Sequence, residues 1–124
     1  MLHTDILIEY VRGNTTVRSE LKSARDKNYK LCTTPITVTE LYAGLRKNEE
    51  PLVLELLALL KCIEITENIG KLAGTYLNKF EKSHQLQLAD ALIAATAAHH
   101  DFLLCTYNWK HYPMKDIRSH VIKR

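Results

Sequence analysis

The sequence predicts an α/β domain, a parallel sheet with helices on both faces, from three observations. Short apolar or β-branched runs alternate with amphipathic helical stretches along the whole chain. Residues 88–98, LADALIAATAA, are Ala-rich and apolar all round except at Asp90, the pattern of a helix enclosed on every side. Residues 102–105, FLLC, come next as a short apolar segment of the kind that forms a buried parallel strand.

A length of 124 residues suits one domain, residues 1–124, large enough for its own core. With 46% hydrophobic and 25% charged residues the balance is that of a soluble globular chain, which excludes a disordered tract. No apolar run approaches the roughly 20 residues of a membrane span. The N-terminus also lacks the basic, apolar and small-residue series of a signal peptide, so a cytoplasmic protein without membrane contact is expected. Cys32, Cys62 and Cys105 are far apart, form no CxxC pair and each fall in a predicted strand. They read as buried reduced thiols and not as a zinc site or a disulfide frame. The net charge of +3 is mild, but residues 107–124 carry five basic side chains (Lys110, Lys115, Arg118, Lys123, Arg124) against Asp116 alone. Such an edge suits a polyanion, although a solvated terminal face is the commoner reason for it.

Taken in order, residues 1–4 form a short strand leading into a helix over 5–11, with Thr4 or Asp5 as its cap and Gly13 past its end. Asn14 opens a second helix, with Val17, Leu21 and Ala24 on one face and an end near Asn28. Residues 29–34 read as a strand closed by Pro35. Thr37 with Glu40 three residues on is a capping box ahead of an apolar run, so Glu40 has a bland reading in which it only bonds back to the backbone at Thr37. A Leu-rich helix spans 49–60, a third strand 62–66, an amphipathic helix 68–83 and the central helix 88–98. The strand at 102–105 ends in a polar and aromatic loop, YNWKHYP, and Val121 and Ile122 form a last short strand.

In a parallel sheet the site lies at the carboxyl ends of the strands. Asp5, Glu40 and Asn108 come after predicted strands, and Asp90 opens the helix before one. Capping alone accounts for Asp90 at a helix start. Converging with the others, it belongs to a hard oxygen site of the kind that holds Mg²⁺ or Mn²⁺, whose usual work is activation of water at a phosphodiester. Rival sites are poor. Gly13, Gly44, Gly70 and Gly74 form neither a dinucleotide fingerprint nor a phosphate loop, and GxSxG and HExxH are absent. His99 and His100 are adjacent and so diverge on a helix, while His84, His111 and His120 lack metal spacing.

Three segments, LHTDILIEYVRGN (2–14), TVTELYAGL (37–45) and LADALIAATAAHHDFLLCTYNWKHY (88–112), in that order and at those separations, resemble the PIN-domain ribonucleases. The resemblance is nearest to the VapC-type toxins of toxin–antitoxin pairs and covers essentially the whole chain. It implies a three-layer α/β/α sandwich that cleaves RNA with Mg²⁺ or Mn²⁺ held by acids. Glu40 matches the family's helix-borne glutamate and Asp90 the aspartate that opens its central helix. Thr106 matches a hydroxyl residue beside the site, and Asn108 a position that is aspartate or asparagine. The first motif departs from the pattern. His3 stands where the family has its opening aspartate, and Asp5 matches the third residue of that motif.

By that resemblance Glu40 and Asp90 hold the metal, Asp5 or His3 completes its shell, and the bound water attacks phosphorus. Asn108 orients the water or the phosphate. Apart from the resemblance, Arg46, Lys47 and Lys110 are candidates to dock the RNA backbone, with solubility as their bland reading. Trp109 and Tyr107 either stack bases or pack a dimer interface. An imidazole in place of a carboxylate removes a negative charge and supplies a donor that Mg²⁺ disfavours and Mn²⁺ tolerates. Reduced or absent catalysis is therefore expected, and the rival reading is a PIN-like module that binds an antitoxin or RNA without cutting. A receiver-like phosphoryl site is a third, weaker reading, lacking a placed acidic pair and lysine. The leucines of 52–60 exceed one core contact, so they read either as a doubly buried helix or as a seam for an antitoxin or a homodimer.

Overall fold

The computed structural model describes residues 1–120. In chain order it contains α1 (Thr4–Val11), α2 (Thr15–Asp26), β1 (Cys32–Thr33), α3 (Pro35–Ala43), α4 (Glu50–Ala58) and β2 (Lys61–Cys62). After these come α5 (Glu67–His84), α6 (Leu88–His99), β3 (Leu103–Cys105), a single 3₁₀ turn (Trp109–His111) and β4 (Arg118–His120).

Residues 1–3 form the middle of the sheet. The Leu2 amide donates to the Cys32 carbonyl at 2.9 Å, the Cys105 amide to the Met1 carbonyl at 2.9 Å, and the His3 amide to the Cys105 carbonyl at 3.0 Å. β1 pairs with β2, β3 with β4 and Leu2 with Cys105, all in parallel, so the order is β2, β1, residues 1–3, β3, β4. Neighbouring strand residues enter opposite cores, as a two-residue period demands. Met1, Cys32 and Leu104 join Ile69, Ala73 and Ile93 of α5 and α6 on one face. Leu2 and Cys105 join Ile6, Leu7, Val17, Val53 and Leu56 of α1, α2 and α4 on the other. This is the three-layer α/β/α arrangement. Ala91, Ile93, Ala94, Ala95 and Ala97 are all fully enclosed, which is why α6 carries almost no polar residue.

Several local expectations are corrected. His3, and neither Thr4 nor Asp5, is the N-cap of α1. Thr34 caps α3 through the Thr37 amide, with Pro35 at the first helical position, so Thr37 lies inside the helix and Glu40 is released from the expected capping box. Strands expected over 29–34 and 62–66 shrink to two residues each. Tyr29 is exposed, Thr66 already caps α5, and only Cys32–Thr33 finds a partner strand at Lys61–Cys62. β2 lies at the sheet edge, so Cys62 is exposed while Cys32 and Cys105 are buried. The last strand is β4 at 118–120, and the strand expected at Val121 and Ile122 falls outside the described residues. α4 is not doubly buried. Val53 and Leu56 enter the core, whereas Leu52, Leu54 and Leu59 face out with Tyr42 of α3.

Other expectations hold. Gly13 lies just past α1 with φ +89°, a conformation that costs glycine little and other residues much. Asn14 caps α2 through the Val17 amide at 3.1 Å. Among the described residues no helix is long and apolar enough to cross a membrane.

Candidate active site

Asp5 comes from the first turn of α1, Glu40 from the middle of α3 and Asp90 from the first turn of α6. Residues 1–3 and β3 run parallel and end on the same side of the sheet, so α1 and the loop after β3 both begin at that edge. His3 lies among the acids there. Its Nε2 is 3.0 Å from Asp90 Oδ1, and its Nδ1 is 3.3 Å from Asp5 Oδ1. The residue is only 8% exposed.

Nδ1 is also 3.3 Å from the Asp5 amide nitrogen. The ring accepts that N–H as a cap and presents Nε2 to Asp90, while Asp5 Oδ1 lies 3.3 Å from Nδ1 without a hydrogen bond to it. Burial pulls the His3 pKa down, but the hydrogen bonds and negative charges of Asp5 and Asp90 outweigh it and raise the value to about 9. The imidazolium is thus the form at neutral pH. Burial pushes Asp5 and Asp90 upward, yet His3 holds both below the usual carboxylate range, aided at Asp5 by Thr106 and the Tyr107 amide and at Asp90 by the Gln87 amide and Tyr112.

The remaining acceptor positions are well used. Asp5 Oδ2 accepts from Thr106 Oγ1 at 2.7 Å, from the Tyr107 amide at 2.9 Å and from Asn108 Nδ2 at 3.4 Å. Asn108 also donates its amide to Thr106 Oγ1 at 3.2 Å. Asp90 Oδ2 takes the Gln87 amide at 3.4 Å, so the expected capping role of Asp90 is real and coexists with its place in the cluster. Thr4 Oγ1 donates to Glu40 Oε1 at 2.5 Å.

Tyr112 completes the cluster. Its hydroxyl donates to Asp90 Oδ1 at 3.2 Å, and its ring meets His3 edge-on, 6.0 Å between centroids. Burial, then the charge of Asp90, with Asp5 and Glu40 contributing, drives the Tyr112 phenol strongly upward, so it stays a donor. Tyr112→Phe removes one hydrogen bond to a charged acceptor and should cost about 1.5 kcal/mol. It is to be read as a lower urea midpoint at unchanged slope, and an unshifted midpoint would remove Tyr112 from the cluster.

The structure therefore gathers His3, Asp5, Asp90, Thr106 and Asn108, and joins Glu40 to Thr4, the residue between His3 and Asp5. It does not gather Arg46 and Lys110, which are exposed and, among the described residues, bonded by side chain to none of these acids. Trp109 packs inward against the α5 and α6 core and Tyr112, away from the expected stacking role. Sequence patterns alone do not reveal Thr4 and Tyr112 as contributors. Thr4 has the signature of a cap and nothing more, and Tyr112 lies 22 residues from Asp90 with no spacing signal. A cavity of about 590 Å³ elsewhere, lined by residues including Glu20, Lys27, Tyr29, Phe102 and Arg118, is not lined by Asp5, Glu40 or Asp90.

The PIN domain family matches residues 1–116. This chain belongs to the PIN domain family. Among relatives of this PIN domain, Ribonuclease VapC10 of Mycobacterium tuberculosis is 37% identical over 115 residues, covering 92% of this chain and 86% of that protein. Ribonuclease VapC19 of the same organism is 27% identical over 115 residues, covering 92% of both chains. The crystal structure of VapBC2 from Rickettsia felis bound to a DNA fragment from their promoter superposes with a TM-score of 0.84 at 21% identity, over 99% of this chain and 98% of that one.

For a PIN domain of this type the resemblance implies a divalent ion. The residues as arranged do not fit one. The carboxylate oxygens that face a common point, Asp5 Oδ1 and Asp90 Oδ1, both face the His3 ring. Among the described residues no group of three His, Cys, Asp or Glu side chains has the disposition to hold a metal ion.

Proposed function

We propose that this chain is a VapC-type ribonuclease, the toxin of a toxin–antitoxin pair, whose cleavage of RNA is held down in this sequence by His3. The carrying observation is that Asp5 and Asp90, from the first turns of α1 and α6, meet at the His3 ring beside Asn108, with Glu40 of α3 bonded to the adjoining Thr4, on a chain whose relatives are named ribonucleases. Thr106 and Asn108 hold Asp5 from the far side and bring an exposed amide to the rim, where a phosphate oxygen or water can bond to it. Arg46 and Lys110, exposed near α3 and in the 3₁₀ turn, are suited to backbone phosphates of a longer RNA.

The antitoxin belongs to the same reading, since structural neighbours are toxin–antitoxin complexes. Leu52 of α4 and Leu59 just past its end, seven residues apart and both exposed, give an apolar stripe suited to a protein partner, with a homodimer as the alternative use. A cytoplasmic location accords with an RNA substrate. Mg²⁺ or Mn²⁺ belongs to this reading through the resemblance and not through the donors as they stand, so no step is derived through it.

The test is cleavage of a structured RNA in Mn²⁺ by this chain, by His3→Asp and by His3→Asp with Asp90→Asn. His3→Asp is expected to cut at least about 100-fold faster than the native chain, and Asp90→Asn to abolish the gain. A native chain that cuts as fast as His3→Asp would show that His3 does not impair the site. If none cuts while RNA is still retained, the chain is a binding module, a reading favoured by the engagement of both His3 nitrogens.

A further inference from the structure

The two aspartates, Asp5 and Asp90, face one ring from opposite sides, and each is closer to that ring's nitrogen than a water molecule would permit. The ring stands between the two carboxylates: Nε2 is within hydrogen-bond distance of Asp90 Oδ1, and Nδ1 lies 3.3 Å from both Asp5 Oδ1 and the Asp5 amide, so the imidazole fills the space between two like charges. The surroundings reinforce this geometry. Tyr112 donates to the same Asp90 oxygen and packs against the ring edge, and Asp5 is fixed from behind by Thr106, the Tyr107 amide and Asn108.

A divalent ion entering here would need carboxylate oxygens at about 2.1 Å in near-octahedral array if it were Mg²⁺. The oxygens that converge do so on the His3 nitrogens, and Glu40 Oε1 is turned to Thr4.

We propose that the His3 ring stands between Asp5 and Asp90 in the place a divalent metal ion would take, so that the cluster is held together without metal. His3 is then a replacement for the ion and not a ligand to it. The inference rests on the acidic cluster of the ribonuclease reading and states how that cluster is stabilised. Its test uses no cleavage.

Full-length native chain and His3→Asp are melted in EDTA and in millimolar Mn²⁺. The native melting temperature is expected to be the same in both. His3→Asp, with a third acid in place of the ring, is expected to melt lower in EDTA and to rise by about 5 °C or more in Mn²⁺. In parallel, Mn²⁺ is titrated into the native chain while the His3 ring signals are tracked by NMR. They are expected to stay sharp and unshifted. A native chain that gains several degrees in Mn²⁺, or His3 signals that vanish at substoichiometric Mn²⁺, would overturn the inference. So would a folded His3→Asp that ignores the ion. If His3→Asp does not fold, the NMR titration decides. If His3→Asp binds Mn²⁺ and still leaves RNA intact, the ribonuclease reading fails while this inference stands.

Discussion

His3→Ala is expected to destabilise the protein by about 3 kcal/mol at neutral pH, the low end of what removing one partner of a buried ion pair costs. The low end is appropriate because the Asp5 and Asp90 side chains keep 16% and 22% of their exposure, so water screens part of the loss. Two effects add: the carboxylates lose their common donor, and their like charges then face each other across an opened space. In a domain of this size the melting temperature should fall by about 10 °C. Calorimetry in EDTA checks it, with EDTA preventing a stray cation from filling the gap. A fall of only a degree or two would mean that the ring is packing and not charge.

The second large effect is on pH dependence. His3 has an ordinary value of 6.5, which is raised to about 9 in the fold. The folded state therefore holds a proton that the unfolded state releases between these values, so stability falls as pH rises through the window. The contribution is full below about pH 6.5 and gone above about pH 9, a difference of about 3 kcal/mol from the shift. At the acid end the sign reverses. Asp5 and Asp90 lie below the ordinary carboxylate value of 3.8, so their share is present above that value and lost as pH falls through their folded values. Urea unfolding of native chain and His3→Ala across pH 6 to 10 isolates the effect, because other groups titrate in both. The two curves should converge above about pH 9. A constant gap across the range would show that the ring is not charged in the fold.

Much of the architecture is legible in the sequence because local signals agree with it. The all-round apolar run around Asp90 could only be a helix enclosed on every side, and FLLC only a buried strand. Asn14 with Gly13 before it marks a helix start that the structure keeps. The α3 start shows where two local signals compete. Thr37 and Glu40 match a capping box, but Thr34 and Pro35 offer a second start, and proline at the first helical turn decides it because its missing N–H costs nothing there. Weighting Thr34-Pro35 over Thr37 releases Glu40 for the site. Strand lengths come out too long because extended propensity does not say how far a partner runs. Residues 29–31 have the composition of a strand but only Cys32–Thr33 has a neighbour on the edge side. Cys62 is misplaced for the same reason, since a residue in an edge strand keeps one face in water.

Periodicity, caps and order along the chain suffice for the α/β class, the central helix, the places of Asp5 and Asp90 at the starts of their helices and of Asn108 after β3, and the oddity of a histidine in the first motif. None of these needs a contact between distant residues. Contacts made in the folded chain are what join His3 to both Asp5 and Asp90, Thr4 to Glu40 and Tyr112 to Asp90. Those pairs are separated by up to 87 residues, and whether an imidazole there serves as ligand or as cation depends on which lone pairs and N–H groups face it once the strands have brought them together.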